Sequence, residues 1–152
     1  MIIVRSRIQH QPPESAFTIA EVVIAMAIGT LALAGIINGY IMSAHRAEWS
    51  AYNLAAQSLA NQRVEQARSA KWDPLGYPAV DELVAANFPA TVDVLDVPIS
   101  TNGKITYATN TTTITTLGTN PSYKMVRVDC TWMFMGRGVF TNTVITYRAP
   151  DQ

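Results

Sequence analysis

Cysteine is almost absent from this chain. The single thiol, Cys130, excludes any internal disulfide, so the compartment cannot be read from cysteine usage. An excess of one charge is missing as well. Eleven Lys and Arg balance eleven Asp and Glu, and no lysine-arginine run marks a surface for nucleic acid or anionic lipid. His10 and His45 lie far apart in different contexts, which leaves no catalytic or metal pair. Nucleophile–base pairing, metal-ligand spacing and a phosphate loop are likewise missing, so the sequence predicts neither an enzyme nor a bound cofactor. Proline does not occur between Pro13 and Pro74, which removes the usual helix breaker from that whole stretch.

What is present is a long apolar run. Residues 17–44 contain one charged side chain, Glu21. The run covers roughly 28 residues, against ~20 needed to cross a bilayer as a helix. A lone acid there costs on the order of 3 kcal/mol and calls for a partner or a function. Arg5 and Arg7 precede the run; His45, Arg46 and Glu48 follow it. The positive-inside tendency therefore predicts the N-terminal side in the cytoplasm and the C-terminal part across the membrane.

Beyond residue 44 the pattern becomes amphipathic. Tyr52, Ala56, Leu59, Ala60, Val64 and Ala67 recur at steps of three or four, with Glu48, Gln57, Arg63, Glu65 and Arg68 elsewhere. Trp72-Asp73-Pro74-Leu75-Gly76 supplies a stop. One continuous helix is expected over residues 17–71, about 80 Å long at the usual rise. Gly35 to Gly39 would be its weakest stretch, since each glycine costs about 1 kcal/mol relative to alanine. Gly35 and Gly39 also match the spacing of small residues at helix-packing seams.

The remainder reads as strands. Residues 81–87 suggest a short helix or structured loop ended by Pro89. Residues 91–99 and 104–108 flank Asn102-Gly103, a hairpin signal. The threonine-rich residues 109–119 fit an exposed strand or loop. Val126, Val128, Cys130, Trp132 and Phe134 alternate with Met125, Arg127, Asp129, Thr131 and Met133, defining one apolar face. Gly136-Arg137-Gly138 turns the chain and residues 139–148 return antiparallel. The expected fold class is α+β: a long N-terminal helix whose second half packs on a small antiparallel sheet. Its divisions would be 1–16, 17–44, 45–73 and 74–152. Cys130 is expected as a buried small hydrophobe, the three tryptophans as packing or interface residues. Asp93 with Asp96 and Asp81 with Glu82 are expected as solvated faces. Asn110-Thr111-Thr112 fits the glycosylation triplet, a pattern too common to carry an assignment.

Ser15-Ala16-Phe17-Thr18-Ile19-Ala20-Glu21-Val22 resembles the N-terminal signature of type IV pilins and of the pseudopilins of type II secretion. Those chains combine a short basic leader, a cleavage site before phenylalanine and a glutamate fifth in the processed chain. The resemblance implies removal of residues 1–16 by a prepilin peptidase between Ala16 and Phe17, and N-methylation of Phe17. It also implies pairing of Glu21 with the terminal amine of a neighbouring subunit. Other pilin or pseudopilin subunits, membrane lipid and an inner-membrane assembly platform are the implied partners. Ala16 stands where the family usually has glycine, and glycines with Asn38 replace a mid-helix proline found in many pilins. A C-terminal cysteine pair is absent, which leans toward a minor pilin or pseudopilin. Two other readings stay open: a secreted β-domain released after Ala32-Leu33-Ala34 by a conventional signal peptidase, and a single-span anchored binding domain. In the plainest case Glu21 is an acid tolerated near the bilayer interface of a signal anchor.

Overall fold

A computed structural model describes residues 17–95, 97, 105–119, 121–134 and 137–151. The chain divides into two compact units, residues 1–42 and 43–152. A single helix, α1 (Ile19–Ser69), supplies the described residues of the first unit beyond Thr18 and opens the second. It starts two residues inside the expected start and ends two before the expected end. Gly29, Gly35 and Gly39 all lie within it, and nothing stands within 4 Å of where a Cβ would be added to each. In the first unit every described side chain is exposed, including the large apolar residues from Phe17 to Met42. The helix is long and apolar enough to cross a membrane.

In the second unit α1 buries Tyr52, Ala56, Ala60, Val64 and Ala67. These are the recurring positions of the sequence pattern. Three of the five are alanines with no exposed surface. Opposite lies a four-stranded antiparallel sheet in the order β3 (Thr91–Val94), β4 (Tyr107–Thr119), β5 (Ser122–Met133), β6 (Val139–Arg148). A separate two-stranded ribbon, β1 (Trp72–Asp73) with β2 (Val80–Asp81), follows the helix. A 3-10 turn at Ala85–Asn87 occupies the segment expected as a short helix or loop.

The inner face of β5 is Lys124, Val126, Val128, Cys130 and Trp132, all buried. Four were expected from the alternation; Lys124 shares their parity and is carried inside with them. The threonine-rich segment becomes β4, an inner strand between β3 and β5 rather than an exposed one, because its even-numbered positions face the core. Its inner positions Asn110 and Thr112 are buried. The predicted Asn102-Gly103 turn lies outside the described residues, but its flanks β3 and β4 pair antiparallel as expected.

The β5–β6 turn brings the Gly138 carbonyl to the N–H of Phe134 at 3.2 Å. Gly138 has φ +149°, a conformation open to glycine and disfavoured for other residues. At Gly118, beside an irregularity in the β4–β5 ladder, a side chain would strike the Tyr123 ring and the Pro121 carbonyl.

Aromatic packing ties the sheet to α1. The Tyr52 and Trp132 rings stack at 6.0 Å and those of Trp132 and Phe140 at 5.2 Å, while Trp49 meets Phe140 edge-on. Trp132 Nε1 donates to Asn142 Oδ1 at 2.8 Å. Asn142 Nδ2 in turn donates to Asn53 Oδ1 at 2.7 Å, so a buried indole N–H is satisfied through a bridge to the helix.

Candidate functional site: the first turn of α1

Thr18 and Glu21 form a reciprocal cap. The backbone N–H and the hydroxyl of Thr18 both donate to Glu21 Oε2, each at 2.8 Å, and the Glu21 N–H donates to Thr18 Oγ1 at 3.3 Å. A helix start leaves four backbone N–H groups without helical partners. The threonine–glutamate exchange satisfies two of them. In an apolar medium that matters more than in water, since each unsatisfied backbone group there costs several kcal/mol. The positive end of the helix dipole adds a further favourable interaction with the Glu21 charge.

The carboxylate is only half engaged. Both Thr18 donors reach Oε2, and among the described residues no donor reaches Oε1. Phe17 precedes the cap and is 84 % exposed. Ala16, the other half of the expected cleavage site, lies outside the described residues, as does the whole expected leader. The site therefore presents one partly free acid at the head of an uncovered apolar rod. Thr18 is the residue the sequence reading did not single out. Its signal was available as a threonine three residues before a glutamate at the start of an apolar run.

The other sequence candidates resolve into structural roles. Of the acids expected on solvated faces, Asp81 and Glu82 are exposed and Asp93 is half-buried, and all three also have partners. Asp81 takes the Lys124 ammonium at 2.6 and 2.7 Å. Glu82 Oε2 accepts the Lys71 N–H at 2.9 Å. Asp93 Oδ2 accepts from Thr91 Oγ1 at 3.0 Å and Asn110 Nδ2 at 3.1 Å. The cause is the ribbon and the sheet edge, which fold these segments back against the helix end and β4. Asp96 lies outside the described residues. Asn110, the head of the glycosylation triplet, is buried in β4 and out of reach of solvent.

Cys130 is fully buried, and burial, with the Asp93 charge second, pushes its thiol up to about 11. Trp72 and Trp132 are buried and Trp49 is at the margin. Among the described residues no group of three or more His, Cys, Asp or Glu comes together to hold a metal. A cavity of about 130 Å³ between α1, β3 and β4 is lined by Gln62, Arg63, Gln66, Asp93 and Asn110 among others. It carries no arrangement of nucleophile and base. Comparison of the chain with protein-family models, with curated proteins and with solved structures finds no match in any of the three.

Proposed function

We propose that this chain is a structural subunit of a pilus-like filament, a minor pilin or pseudopilin, without enzymatic activity. A prepilin peptidase would cut between Ala16 and Phe17, and the new amine of Phe17 would be methylated. The apolar part of α1 would wait as a single span in a bacterial inner membrane, with the sheet domain outside the cytoplasm. An assembly platform would then move it into a type IV pilus or a type II secretion pseudopilus beside other pilin-like subunits.

One observation carries this reading: the only charge in residues 17–44 is a carboxylate in the first helical turn with one oxygen still open. A cationic terminus from an adjoining subunit fits that oxygen. Each charge is costly alone in an apolar medium, and each offsets the other. The uncovered apolar surface of residues 17–42 supports the same reading, because a rod of that kind needs lipid or other helices around it.

Intact-mass and N-terminal analysis of the mature protein tests it. A chain beginning at methylated Phe17 supports the filament subunit. A start at Gly35 supports a conventionally secreted domain, and a retained Met1 supports a simple anchor. Glu21→Ala should insert into membranes normally yet fail to enter filaments beside wild-type chains. Normal incorporation of that variant would refute the assembly role.

A further inference from the structure

The cavity between α1, β3 and β4 is walled by polar groups that the fold does not fully pair. Its volume is about 130 Å³, and a cavity of ~150 Å³ admits a molecule the size of benzene. Gln62, Arg63 and Gln66 line it from α1, with Thr91, Asp93 and Asn110 from the sheet. Gln62 and Gln66 are exposed and mark its outer side, whereas Asn110 is 2 % exposed and marks its floor.

Two of these residues carry a buried atom without a partner among the described residues. Arg63 donates from Nη1 to Gln66 Oε1 at 2.8 Å and from Nη2 to the Pro89 carbonyl at 2.5 Å. Those bonds hold its guanidinium 5.5 Å from the Phe88 ring centre, yet its Nε–H meets no acceptor. Asn110 Nδ2 donates to Asp93 Oδ2 at 3.1 Å. The carboxylate accepts only, so it decides which end of the amide faces it, and Asn110 Oδ1 is left over. Thr91 Oγ1 donates to the same Asp93 Oδ2, and no described residue donates to Asp93 Oδ1. Folded chains keep few such atoms, because a buried donor or acceptor without a partner is costly.

The unmet groups select a ligand by charge and by count. Arg63 and Asp93 carry opposite charges on one wall, so a carboxylate is repelled by Asp93 and an ammonium by Arg63. One donor and two acceptors remain, which calls for a neutral group with one acceptor and two N–H bonds. We propose that the cavity binds a primary carboxamide. Its carbonyl oxygen accepts from Arg63 Nε, and its two N–H bonds point to Asn110 Oδ1 and Asp93 Oδ1. The two buried atoms lie just behind the wall, without surface open to solvent. Seating the amide therefore takes a small turn of both side chains toward it. A free small amide and the side chain of Asn or Gln in a peptide share this chemistry. The site stands independently of the filament reading.

The test titrates acetamide into the isotopically labelled full-length chain in detergent micelles, following the Arg63 Nε–H and Asn110 Nδ2 signals by NMR. Saturable shifts are expected with a dissociation constant in the millimolar range, the scale open to a ligand of so few atoms. Acetate and N,N-dimethylacetamide, which lack the N–H donors, should bind at least tenfold more weakly. Asn110→Leu removes the floor acceptor, and Leu59→Phe fills the cavity from the helix side without touching a polar group. Each should weaken acetamide at least tenfold, and Leu59→Phe carries the test if Asn110→Leu does not fold. Capped Ala-Gln-Ala binding more tightly than acetamide identifies a peptide side chain as the source; acetamide binding the more tightly identifies a free amide. Either supports the site. Absence of saturation, in which case the cavity holds water only, would overturn the proposal. So would equal binding of acetate, tighter binding of glycine, or wild-type affinity in a folded Leu59→Phe chain.

Discussion

Lys124 reaches from the start of β5 to hold Asp81, its ammonium 2.6 and 2.7 Å from the two carboxylate oxygens, and so ties the β1–β2 ribbon to the sheet. The same ammonium donates to the Leu83 carbonyl at 2.8 Å and faces the Trp72 ring. The lysine side chain is 8 % exposed and the aspartate 43 %. The charge is thus buried on one side of the pair and half solvated on the other.

That asymmetry predicts an order of damage. Asp81→Ala leaves a buried ammonium without its counter-charge and should cost about 2 kcal/mol, below the range for fully buried pairs because Asp81 is partly solvated. Adding Lys124→Met should recover part of the loss, since the double variant no longer buries a lone charge. Urea midpoints of the two variants and the wild type measure this. A double variant less stable than Asp81→Ala alone would contradict it.

The C-terminal end of α1 is closed by residues from the far end of the chain. Arg148 Nη1 donates to the carbonyls of Ala67, Arg68 and Ala70, and Arg148 Nη2 pairs with Asp151. The Trp72 N–H donates to the Asp151 carboxylate at 2.8 Å, and that bond, with Arg148 beside it, holds the carboxyl below its ordinary value of 3.8. A depressed carboxyl binds fewer protons folded than unfolded. Its contribution is therefore complete above pH 3.8 and is lost as pH falls through the lower folded value. Asp151→Asn should lower the midpoint near neutrality, with the gap to wild type closing in acid. A gap that persists unchanged down to about pH 2 would show that the charge is not what matters.

Cys130 should be inert while the chain is folded. With its thiol pushed up to about 11, almost no thiolate exists near neutral pH, and the side chain has no exposed surface. Alkylation under native conditions should proceed only through unfolding, at a rate that rises with denaturant. Prompt labelling of the native protein would show that β5 opens locally.

Cap and charge at the head of α1 can be separated. Glu21→Gln keeps an amide oxygen for the Thr18 donors but removes the charge. It should leave the first turn helical while abolishing filament entry. Thr18→Ala should fray that turn, at a cost of about 1 kcal/mol, with the charge retained and assembly only weakened. Circular dichroism in micelles and filament yield provide the two readouts. If Glu21→Gln assembles as well as wild type, the acid serves the cap alone.

Much of the fold was legible along the chain because its signals are local. The absence of proline from Pro13 to Pro74 and the four-residue recurrence from Tyr52 to Val64 marked one helix and its buried face. Alternation from Val126 to Phe134 marked the core strand, and Gly138 marked its turn. Lys124 shares the parity of that alternation, although the pattern was read only from Val126 onward. Nothing along the chain revealed what would receive it, because Asp81 lies 43 residues away in sequence. The Thr18–Glu21 cap was legible as a motif, although the glutamate alone drew the first reading. Arg148 and Asp151 at the helix end carry no local signal at all.

By itself the sequence determined the α+β order, the apolar rod with its single acid, and the alternation that decides which side of β5 turns inward. These follow from hydrophobic period and backbone preference, which act over a few residues. Only the tertiary structure decided which charges meet, Lys124 with Asp81 and Arg148 with the carbonyls closing α1. Such pairings depend on strand register and chain return, and a contact between residues tens of positions apart leaves no periodic trace in either partner.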